Sequence, residues 1–481
     1  MGQHLRATLG VARAAEVPQP LTARHSEVGP GPTSRGSTRS PQSTPLAPPS
    51  SCGEPSHASV TNHDGRPTMV RAMAYRVTLG AALLLVCLIS PLAAAPDEEL
   101  LGKSRGYPVG TPSTWFNDET VRVGSFSHMD SFLPHRVLPK SDAPRPLSRA
   151  AKEPDYSYSF DYATRGIDDF MARRRITGLM VVQDGVVQVE RYQYDRTPRH
   201  RLLSNSMAKS ITAIAVGFAL AEGKIKSLDD TAATYVPELA GSAYGETPIR
   251  ALLRMASGVA FSERYDGKDD IRKFMTLSMR DGSIAAMRAF NQRDNPPNTK
   301  FQYASSETMV LSYVLKGATR QSLSSYVTER LWRPMGAESD ASWIINRDGV
   351  ELALGYFNAT LRDWGRLAML LTNDGMLDGK QIIPRDFLIE ATDADRHPTA
   401  FRPRQATRYF GYGYKFWIYP SAPRRFSLLG VYGQSIFVDP GTRLALVITA
   451  AQKDAVSASD GFGAERDALW RGILGRHGAK W

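Results

Sequence analysis

Two stretches of the chain alternate between apolar and polar positions in the manner of β-hairpins. In "GLMVVQDGVVQVERY" two alternating runs are joined at Asp184-Gly185, a dipeptide that favours a tight turn between antiparallel strands. Near the end of the chain, "SIFVDPGTRLALVITA" predicts a second hairpin that turns at Asp439–Thr442. The two hairpins predict an antiparallel sheet to which both ends of the globular part contribute.

Three further stretches place their apolar residues at helical spacing. They are "FDYATRGIDDFMARRR", "MAKSITAIAVGFALAEGKI" and the closing "GAERDALWRGILGRHG". The second has an apolar stripe through Ile211, Ile214 and Phe218, and Gly223 is a suitable end for its helix. Helical and loop segments fill most of residues 203–400. The pattern therefore predicts an α/β fold, in which an antiparallel sheet from both chain ends has flanking helices and an inserted helical lobe.

The N-terminal part of the chain has a different composition. Residues 1–68 are rich in Pro, Ser, Thr and Gly without an apolar period, which predicts a disordered extension. Residues 69–95 combine arginines, an uncharged apolar run over 77–95 and an Ala-x-Ala end, which is the layout of a secretory signal. A membrane anchor is the alternative, and cleavage after Ala95 would leave Pro96 first. Because a signal lies at the start of its protein, we interpret the extension as the product of a misassigned start codon.

The rest of the chain is divided into a lead-in and a domain. Residues 96–155 are rich in proline and predict an extended lead-in, and residues 156–481 predict the globular domain. The formal charge of +11 is spread along the chain, which indicates a solvated surface and no nucleic-acid partner. The two cysteines, Cys52 and Cys87, precede the domain, so no disulfide or cysteine metal site is predicted in it. Metal-ligand spacing and nucleotide-binding glycine loops are also missing from the sequence, so we predict no metal and no cofactor.

Ser206 and Lys209 stand three residues apart at the start of the second predicted helix. Residues at this spacing share a helix face, so the lysine amine can reach the serine hydroxyl. The positive end of the helix dipole and burial both lower the pKa of a lysine placed there. A serine beside a neutral lysine is a nucleophile beside a general base. The tetrapeptide alone is weak, and an N-cap serine with a solvated lysine is the alternative.

Two later motifs strengthen the first interpretation. The stretch "NQRDNPPNTKFQYASSETMVLSYVL" supplies Tyr303-Ala-Ser305 on a loop ahead of an apolar helix, and "LLGVYGQSIFVDPG" places Gly433 just before the last hairpin. In this order the three motifs resemble those of the penicillin-recognising serine hydrolases. Over residues 160–475 the chain is similar to the class C β-lactamase-like family, and it looks closest to the 6-aminohexanoate-dimer hydrolase branch. The resemblance implies a β-lactamase and penicillin-binding-protein-like fold.

The resemblance also implies roles for individual residues. Ser206 is expected to be the acylated nucleophile, Lys209 its base partner, and Tyr303 the relay that protonates the leaving group. Ser305 stands where the family often has Asn and is expected to donate a hydrogen bond to the lysine or to substrate. The oxyanion hole is expected from the backbone N–H groups of Ser206 and Gln434. The weaker candidates for lining the substrate site are Gly433, Tyr265 and Asn358.

The third motif bears on substrate class. In lactamases and peptidases it carries a cation, whereas the aligned triplet here is Val431-Tyr432-Gly433. We therefore predict an exported serine hydrolase of the periplasm or cell envelope that cleaves amide or ester bonds of small molecules. A β-lactamase or D-alanyl-D-alanine carboxypeptidase is the enzymatic alternative, and a catalytically inactive exported binding protein of the same fold is the alternative from another class. Membrane contact is predicted only through residues 77–95, if they stay attached.

Overall fold

In the computed structural model of the chain, residues 94–456 and 460–481 are described. Their strands are β1 (His135–Leu138), β2 (Ser148–Arg149), β3 (Ser157–Phe160), β4 (Ala163–Gly166), β5 (Ile176–Gln183), β6 (Val186–Tyr192), β7 (Leu202–Leu203), β8 (Ala341–Ile344), β9 (Phe357–Ala359), β10 (Met376–Leu377), β11 (Lys380–Gln381), β12 (Gly411–Tyr412), β13 (Trp417–Ile418), β14 (Phe426–Leu429), β15 (Ser435–Asp439) and β16 (Leu444–Ala450). Their helices are α1 (Arg122–Ser125), α2 (Ile167–Arg173), α3 (Ala208–Ala221), α4 (Ile249–Leu253), α5 (Asp270–Asp281), α6 (Ser283–Ala289), α7 (Ser305–Thr319), α8 (Leu323–Val327), α9 (Leu361–Thr372), α10 (Arg385–Thr392) and α11 (Phe462–Arg476).

The two predicted hairpins form the centre of an eight-stranded sheet. Its strands lie in the order β12-β13-β14-β15-β16-β5-β6-β2. The first hairpin turns at Asp184 and Gly185, which have φ angles of 52° and 77°. A two-residue turn of this hand needs a positive φ at both positions, which glycine and aspartate tolerate well. Strand β16 of the second hairpin pairs antiparallel with β5 of the first. Both hairpins and the sheet built from the two chain ends are therefore confirmed.

Alternation along the strands divides the apolar side chains between the two faces of this sheet. Met180 and Val182 of β5 enter the core on the face covered by α9. Leu179 and Val181 enter a second core with α2 and α11, which includes the fully buried Trp470. Each fully buried aliphatic side chain contributes about 1.5–3 kcal/mol. The helices on both faces thus fix the sheet as a rigid support for the loops at its edge.

Helix α3 forms the centre of the helical lobe. Its residues from Ala208 to Ala219 are all buried, and it packs against α7, α8 and α10. A helix that is enclosed on every side belongs to the core of a protein, not to its surface. The predicted helix after Ser206 is confirmed, and its N-terminal turn is held in a fixed place by this packing.

Residues upstream of position 156 contribute more structure than the expected extended lead-in. Strand β1 pairs with β8 in a four-stranded sheet of order β1-β8-β9-β7, and β2 pairs with β6. Residues between positions 101 and 129 also supply a third apolar core, which packs against Leu203 and Tyr432. Its buried members from this segment are Leu101, Tyr107, Trp115, Val123, Phe126 and Met129.

The described residues fall within one compact unit, Cys87–Trp481. The other unit, Met1–Val86, lies outside the described residues, as do the predicted extension over 1–68 and the predicted signal up to residue 93. In the part of the chain that is described, no helix is both long and apolar enough to span a bilayer.

Candidate active site

Ser206 lies on a tight turn between strand β7 and helix α3. The turn begins at Ser204, which exchanges backbone and side-chain hydrogen bonds with Phe357 of β9. Asn205 then adopts a left-handed conformation with φ 42°, which asparagine accommodates better than most residues, and its side chain donates to the Val431 carbonyl at 2.9 Å. This sharp change of direction sets Ser206 in a 3₁₀ turn at the start of α3, partly open to solvent.

Lys209 is buried one helical turn after the serine. Its Nζ donates to Ser206 Oγ at 2.8 Å and also to the Leu354 carbonyl. The exposed fraction of the residue is 1%. Burial lowers the pKa of Lys209 to about 8, and the Glu263 carboxylate acts in the opposite direction. A lysine with this pKa has a neutral fraction near pH 7 that can accept a proton from the serine.

Tyr303 lies on the loop before α7 and faces the same centre. The Lys209 ammonium lies 5.3 Å from the centroid of its ring, and the ring stacks on Trp417 with centroids 5.7 Å apart and planes 15° apart. Burial raises the pKa of Tyr303 and the Glu263 carboxylate raises it further, while a hydrogen bond with Ser206 acts in the opposite direction. The structure thus brings together Ser206, Lys209 and Tyr303 and favours a neutral phenol.

Glu263 is a carboxylate of the site that the sequence interpretation missed. It accepts hydrogen bonds from the Ser305 backbone N–H and hydroxyl, both at 2.7 Å, and from the Tyr265 hydroxyl. Ser305 therefore donates to Glu263, where a bond to Lys209 or substrate was expected. The same carboxylate raises the pKa of Lys209 and of Tyr303. Its nearness to Tyr265 in "SERYDG" was the available signal, but nothing in the sequence indicates that this loop folds over Ser305.

The two glycines of the third-motif loop, Gly430 and Gly433, have different surroundings. At Gly430, just after β14, an added Cβ would lie 2.6 Å from the Ser204 carbonyl oxygen and 3.0 Å from the Ser206 nitrogen. At Gly433 an added Cβ would instead meet interior side chains of Ala450, Gln452 and Phe462 at 2.9 to 3.1 Å. Gly430 is therefore the glycine that lies close to the nucleophile turn, whereas Gly433, predicted to line the substrate site, lies against interior side chains. Spacing in the sequence could not decide between two glycines in one short loop.

Gln434 and Asn358 are both buried away from the pocket. The Gln434 side chain bridges to the backbone of Ala450, donating to its carbonyl at 2.6 Å and accepting from its N–H at 3.0 Å. Asn358 lies within β9 and its amide donates to the Tyr356 carbonyl at 3.1 Å. The helix that follows, α9, has Thr360 as its N-cap, so Asn358 does not cap it. Both polar side chains satisfy backbone groups inside the protein.

An apolar cavity of about 240 Å³ opens beside Ser206. Tyr265, Ser305 and Val431 line it, as does Tyr356 from the loop before β9. Part of the lining comes from a segment upstream of the predicted domain, namely Trp115, Phe116 and Asn117. The Trp115 ring packs edge-on against Tyr356 with centroids 5.6 Å apart, and Phe116 packs on Tyr432 at 5.3 Å. The cavity therefore depends on residues that are far apart in the sequence.

The cavity wall also carries charge at its α5 side, where Asp269 and Arg272 line it. At the third-motif side the lining residue Val431 is apolar. Across residues 94–456 and 460–481, no group of three or more His, Cys, Asp or Glu side chains could hold a metal ion.

Comparison with known proteins gives a family match and several relatives. A model of the Beta-lactamase family matches residues 163–469. A 6-aminohexanoate-dimer hydrolase from Paenarthrobacter ureafaciens is 24% identical over 343 residues, which cover 69% of this chain and 85% of that protein.

Solved structures share the fold at lower identity. A candidate 6-aminohexanoate-dimer hydrolase from Bacillus anthracis superposes with a TM-score of 0.69 at 22% identity, and the match covers 78% of this chain and 100% of that one. A candidate β-lactamase from Bacteroides dorei superposes with a TM-score of 0.51 at 17% identity, over 65% of this chain and 97% of that one. The two solved structures therefore share the fold of this chain.

Proposed function

The chain belongs to the beta-lactamase family and is a serine hydrolase of amides or esters, and we propose that Ser206, Lys209 and Tyr303 carry its acyl transfer. The predicted β-lactamase and penicillin-binding-protein-like fold is confirmed by the family match and the structural neighbours. The observation that carries the assignment of residues is the 2.8 Å hydrogen bond from Lys209 Nζ to Ser206 Oγ, made by a fully buried lysine.

In the proposed reaction, neutral Lys209 removes the proton of Ser206, and the serine oxygen attacks the substrate carbonyl carbon. The tetrahedral intermediate then collapses, the bond to the leaving amine or alcohol breaks, and Tyr303 gives that group its proton. The lysine ammonium returns its proton to the tyrosine. In the second half of the reaction, Tyr303 and Lys209 remove a proton from a water molecule, and this water attacks the acyl carbonyl carbon. The bond to Ser206 then breaks, the serine oxygen regains its proton, and the acid is released. Burial raises the pKa of Tyr303, which supports the lysine over a tyrosine phenolate as the base.

For the oxyanion hole we retain the Ser206 N–H and assign the second donor to Val431 in place of Gln434. An added Cβ at Gly430 would lie 3.0 Å from the Ser206 nitrogen, and Val431 follows Gly430 directly and lines the cavity. The Asn205 amide donates to the Val431 carbonyl at 2.9 Å, which anchors this residue beside the turn that carries Ser206. Each donor of this kind contributes about 10²–10³ in turnover.

Neutral substrates fit the third-motif side of the cavity best. A penicillin or a D-alanyl peptide carries a carboxylate next to the scissile bond, and an apolar Val431 cannot pair with it. Loss of such a partner costs about 1–3 kcal/mol, roughly ten- to a hundredfold in rate. We expect kcat/KM for a nitrophenyl ester to exceed that for a chromogenic cephalosporin by at least this factor. A cephalosporin value equal to the ester value would favour the β-lactamase alternative.

We also propose that the enzyme is exported to the periplasm or cell envelope. The support is the order of arginines, apolar run and Ala-x-Ala end over residues 69–95. The Tyr194 hydroxyl donates to the Pro96 carbonyl at 2.9 Å, so the residue that follows the predicted cleavage point contacts the hydrolase domain. N-terminal sequencing of the protein from its native host tests this, and a chain that still carries residues 69–95 would favour the anchor.

A fluorophosphonate probe tests the catalytic assignment. Intact mass should show one adduct, and peptide mapping should locate it on Ser206. The Ser206→Ala variant should lose both labelling and hydrolysis of a nitrophenyl ester, whereas Ser159→Ala, on an exposed position of β3, should keep both. Labelling of another residue, or an unchanged rate in Ser206→Ala, would refute the assignment. A folded protein with no labelling and no hydrolysis would favour the inactive binding protein.

A further inference from the structure

Arg272, in the first turn of helix α5, is the cation that lines the substrate cavity. Of the described residues around the cavity, it alone carries a positive charge, and Ser206 lies on the wall of the same space. An added Cβ at Gly267 would lie 3.8 Å from Arg272 Nη1, and Gly267 also lines the cavity. The positive charge therefore lies on the part of the cavity wall formed by α5 and the turn before it.

The carboxylates near Arg272 are committed to other partners. Asp269 accepts from the backbone N–H groups of Arg264 and Tyr265 at 2.7 and 2.6 Å. Asp270 accepts from Ser262, and Asp266 pairs with Arg264 at 2.9 Å. The Glu263 carboxylate is held by Ser305 and Tyr265, as described above. Each acid of this loop thus orders the loop itself.

Within the part of the chain that the structure describes, no hydrogen bond or ion pair engages the Arg272 guanidinium. The apolar side chains that line the same cavity include Ile271, Met275, Trp115 and Phe116. An arginine presents its donors in a planar fork that matches a carboxylate. An apolar cavity with an unpaired guanidinium on its wall is therefore complementary to an apolar chain that ends in a carboxylate.

We propose that Arg272 binds a carboxylate at the far end of the substrate, separated from the scissile bond by a short apolar stem. The inference rests on the proposed function, because it takes Ser206 as the point of attack. It differs from recognition of a penicillin carboxylate, which lies beside the scissile bond and on the third-motif side. The carboxylate belongs either to the acyl chain or to the leaving group, and matched substrates distinguish these two sources.

The test compares pairs of esters that differ only in charge. The mononitrophenyl ester of glutarate and its methyl ester carry the difference on the acyl chain, and 4-butyryloxybenzoate and its methyl ester carry it on the leaving group. For the wild-type enzyme we expect kcat/KM to favour the carboxylate in one pair. In Arg272→Gln this preference should fall about tenfold, because a partly solvated charge-assisted contact is lost, and in Arg272→Glu it should reverse. High salt should also reduce the wild-type preference for the carboxylate, because it screens the attraction to Arg272.

The matched control is Lys273→Gln, one residue along the same helix. The Lys273 ammonium lies over the Phe290 ring at 5.3 Å, outside the cavity, so its removal changes the net charge without changing the proposed contact. A fall in Arg272→Gln and not in Lys273→Gln supports the inference, and the affected pair tells which half of the substrate faces α5. Equal ratios in wild type and Arg272→Gln for both pairs would overturn it.

The neutral methyl esters separate this inference from the proposed function. Suppose that Ser206→Ala abolishes their hydrolysis, but the ratio of kcat/KM between each carboxylate and its methyl ester is the same in wild type and Arg272→Gln. Only the carboxylate contact is then refuted. If Ser206→Ala hydrolyses them at the wild-type rate, the proposed function itself is refuted, and the inference about Arg272 loses its premise that Ser206 is the nucleophile.

Discussion

At the scale of single residues, the reactivity of Ser206 depends on the protonation of one buried amine. Burial lowers the pKa of Lys209 from its usual value of 10.5 to about 8. Because the base acts only when neutral, kcat/KM for a nitrophenyl ester should rise with pH and level off above about 8. Lys209→Arg, which stays charged, should lose about 10²-fold or more in turnover, and its kcat/KM should no longer rise with pH. A flat wild-type profile between pH 6.5 and 9, corrected for spontaneous hydrolysis, would contradict this role.

Glu263 should set the position of that profile. Its negative charge raises the pKa of Lys209, so Glu263→Gln should move the midpoint of the pH profile to lower pH. The variant also weakens the hydrogen bonds from Ser305 and Tyr265, which should cost about tenfold in maximal turnover. Asp266→Asn, on the exposed part of the same loop, is the control and should leave the midpoint unchanged. A midpoint that stays in place or moves upward in Glu263→Gln would exclude this electrostatic role.

At the scale of elements, periodic segments were predictable and close approaches were not. Local apolar spacing predicts the hairpins β5–β6 and β15–β16 and the helices α3 and α11. Residues at this spacing lie on the same face of a strand or helix, so the pattern is set within each element. The identity of the third-motif glycine depends on how the loop after β14 crosses the turn at Ser206. Such a crossing is a contact between distant parts of the chain, so a choice between Gly430 and Gly433 had no local signal.

Replacement of Gly430 by any residue with a side chain should reduce activity. An added methyl would lie 2.6 Å from the Ser204 carbonyl oxygen, a backbone atom that can move only together with the nucleophile turn. Displacement of reacting groups by about 1 Å can cost about 10²-fold, and we expect a loss of this size in kcat/KM for Gly430→Ala.

The control for Gly430→Ala is Gly475→Ala in α11, where an added methyl meets no atom within 4 Å. It should keep full activity and gain about 0.5–1 kcal/mol in the free energy of unfolding, because alanine is the better helix former. Thermal unfolding of both variants distinguishes a local displacement from general loss of the fold. Wild-type activity in Gly430→Ala would contradict the proposed place of the third motif.

At the scale of the whole molecule, the hydrolase extends further upstream than its motifs do. The family match begins at residue 163, and the sequence pattern placed the domain start at 156. The segment before β1 nevertheless forms a wall of the cavity and the third core. It is tied to the main sheet by Arg175, which pairs with Asp97 at 2.7 Å and with Glu119 at 2.8 Å. Its apolar residues lack a regular period because they form turns and short helices, so sequence periodicity could not identify them as core.

Two truncations test how much of this upstream segment the fold requires. A chain that begins at Pro96 keeps the bond to Tyr194 and the ion pair of Asp97, and it should match the full chain in melting temperature and ester hydrolysis. A chain that begins at residue 134 loses six buried apolar side chains of the third core. At about 1.5–3 kcal/mol each, their sum approaches the whole stability of a typical domain, about 5–15 kcal/mol. The shorter chain should therefore show no cooperative unfolding by circular dichroism and no fluorophosphonate labelling. A folded and active shorter chain would show that the hydrolase fold is complete without the upstream segment.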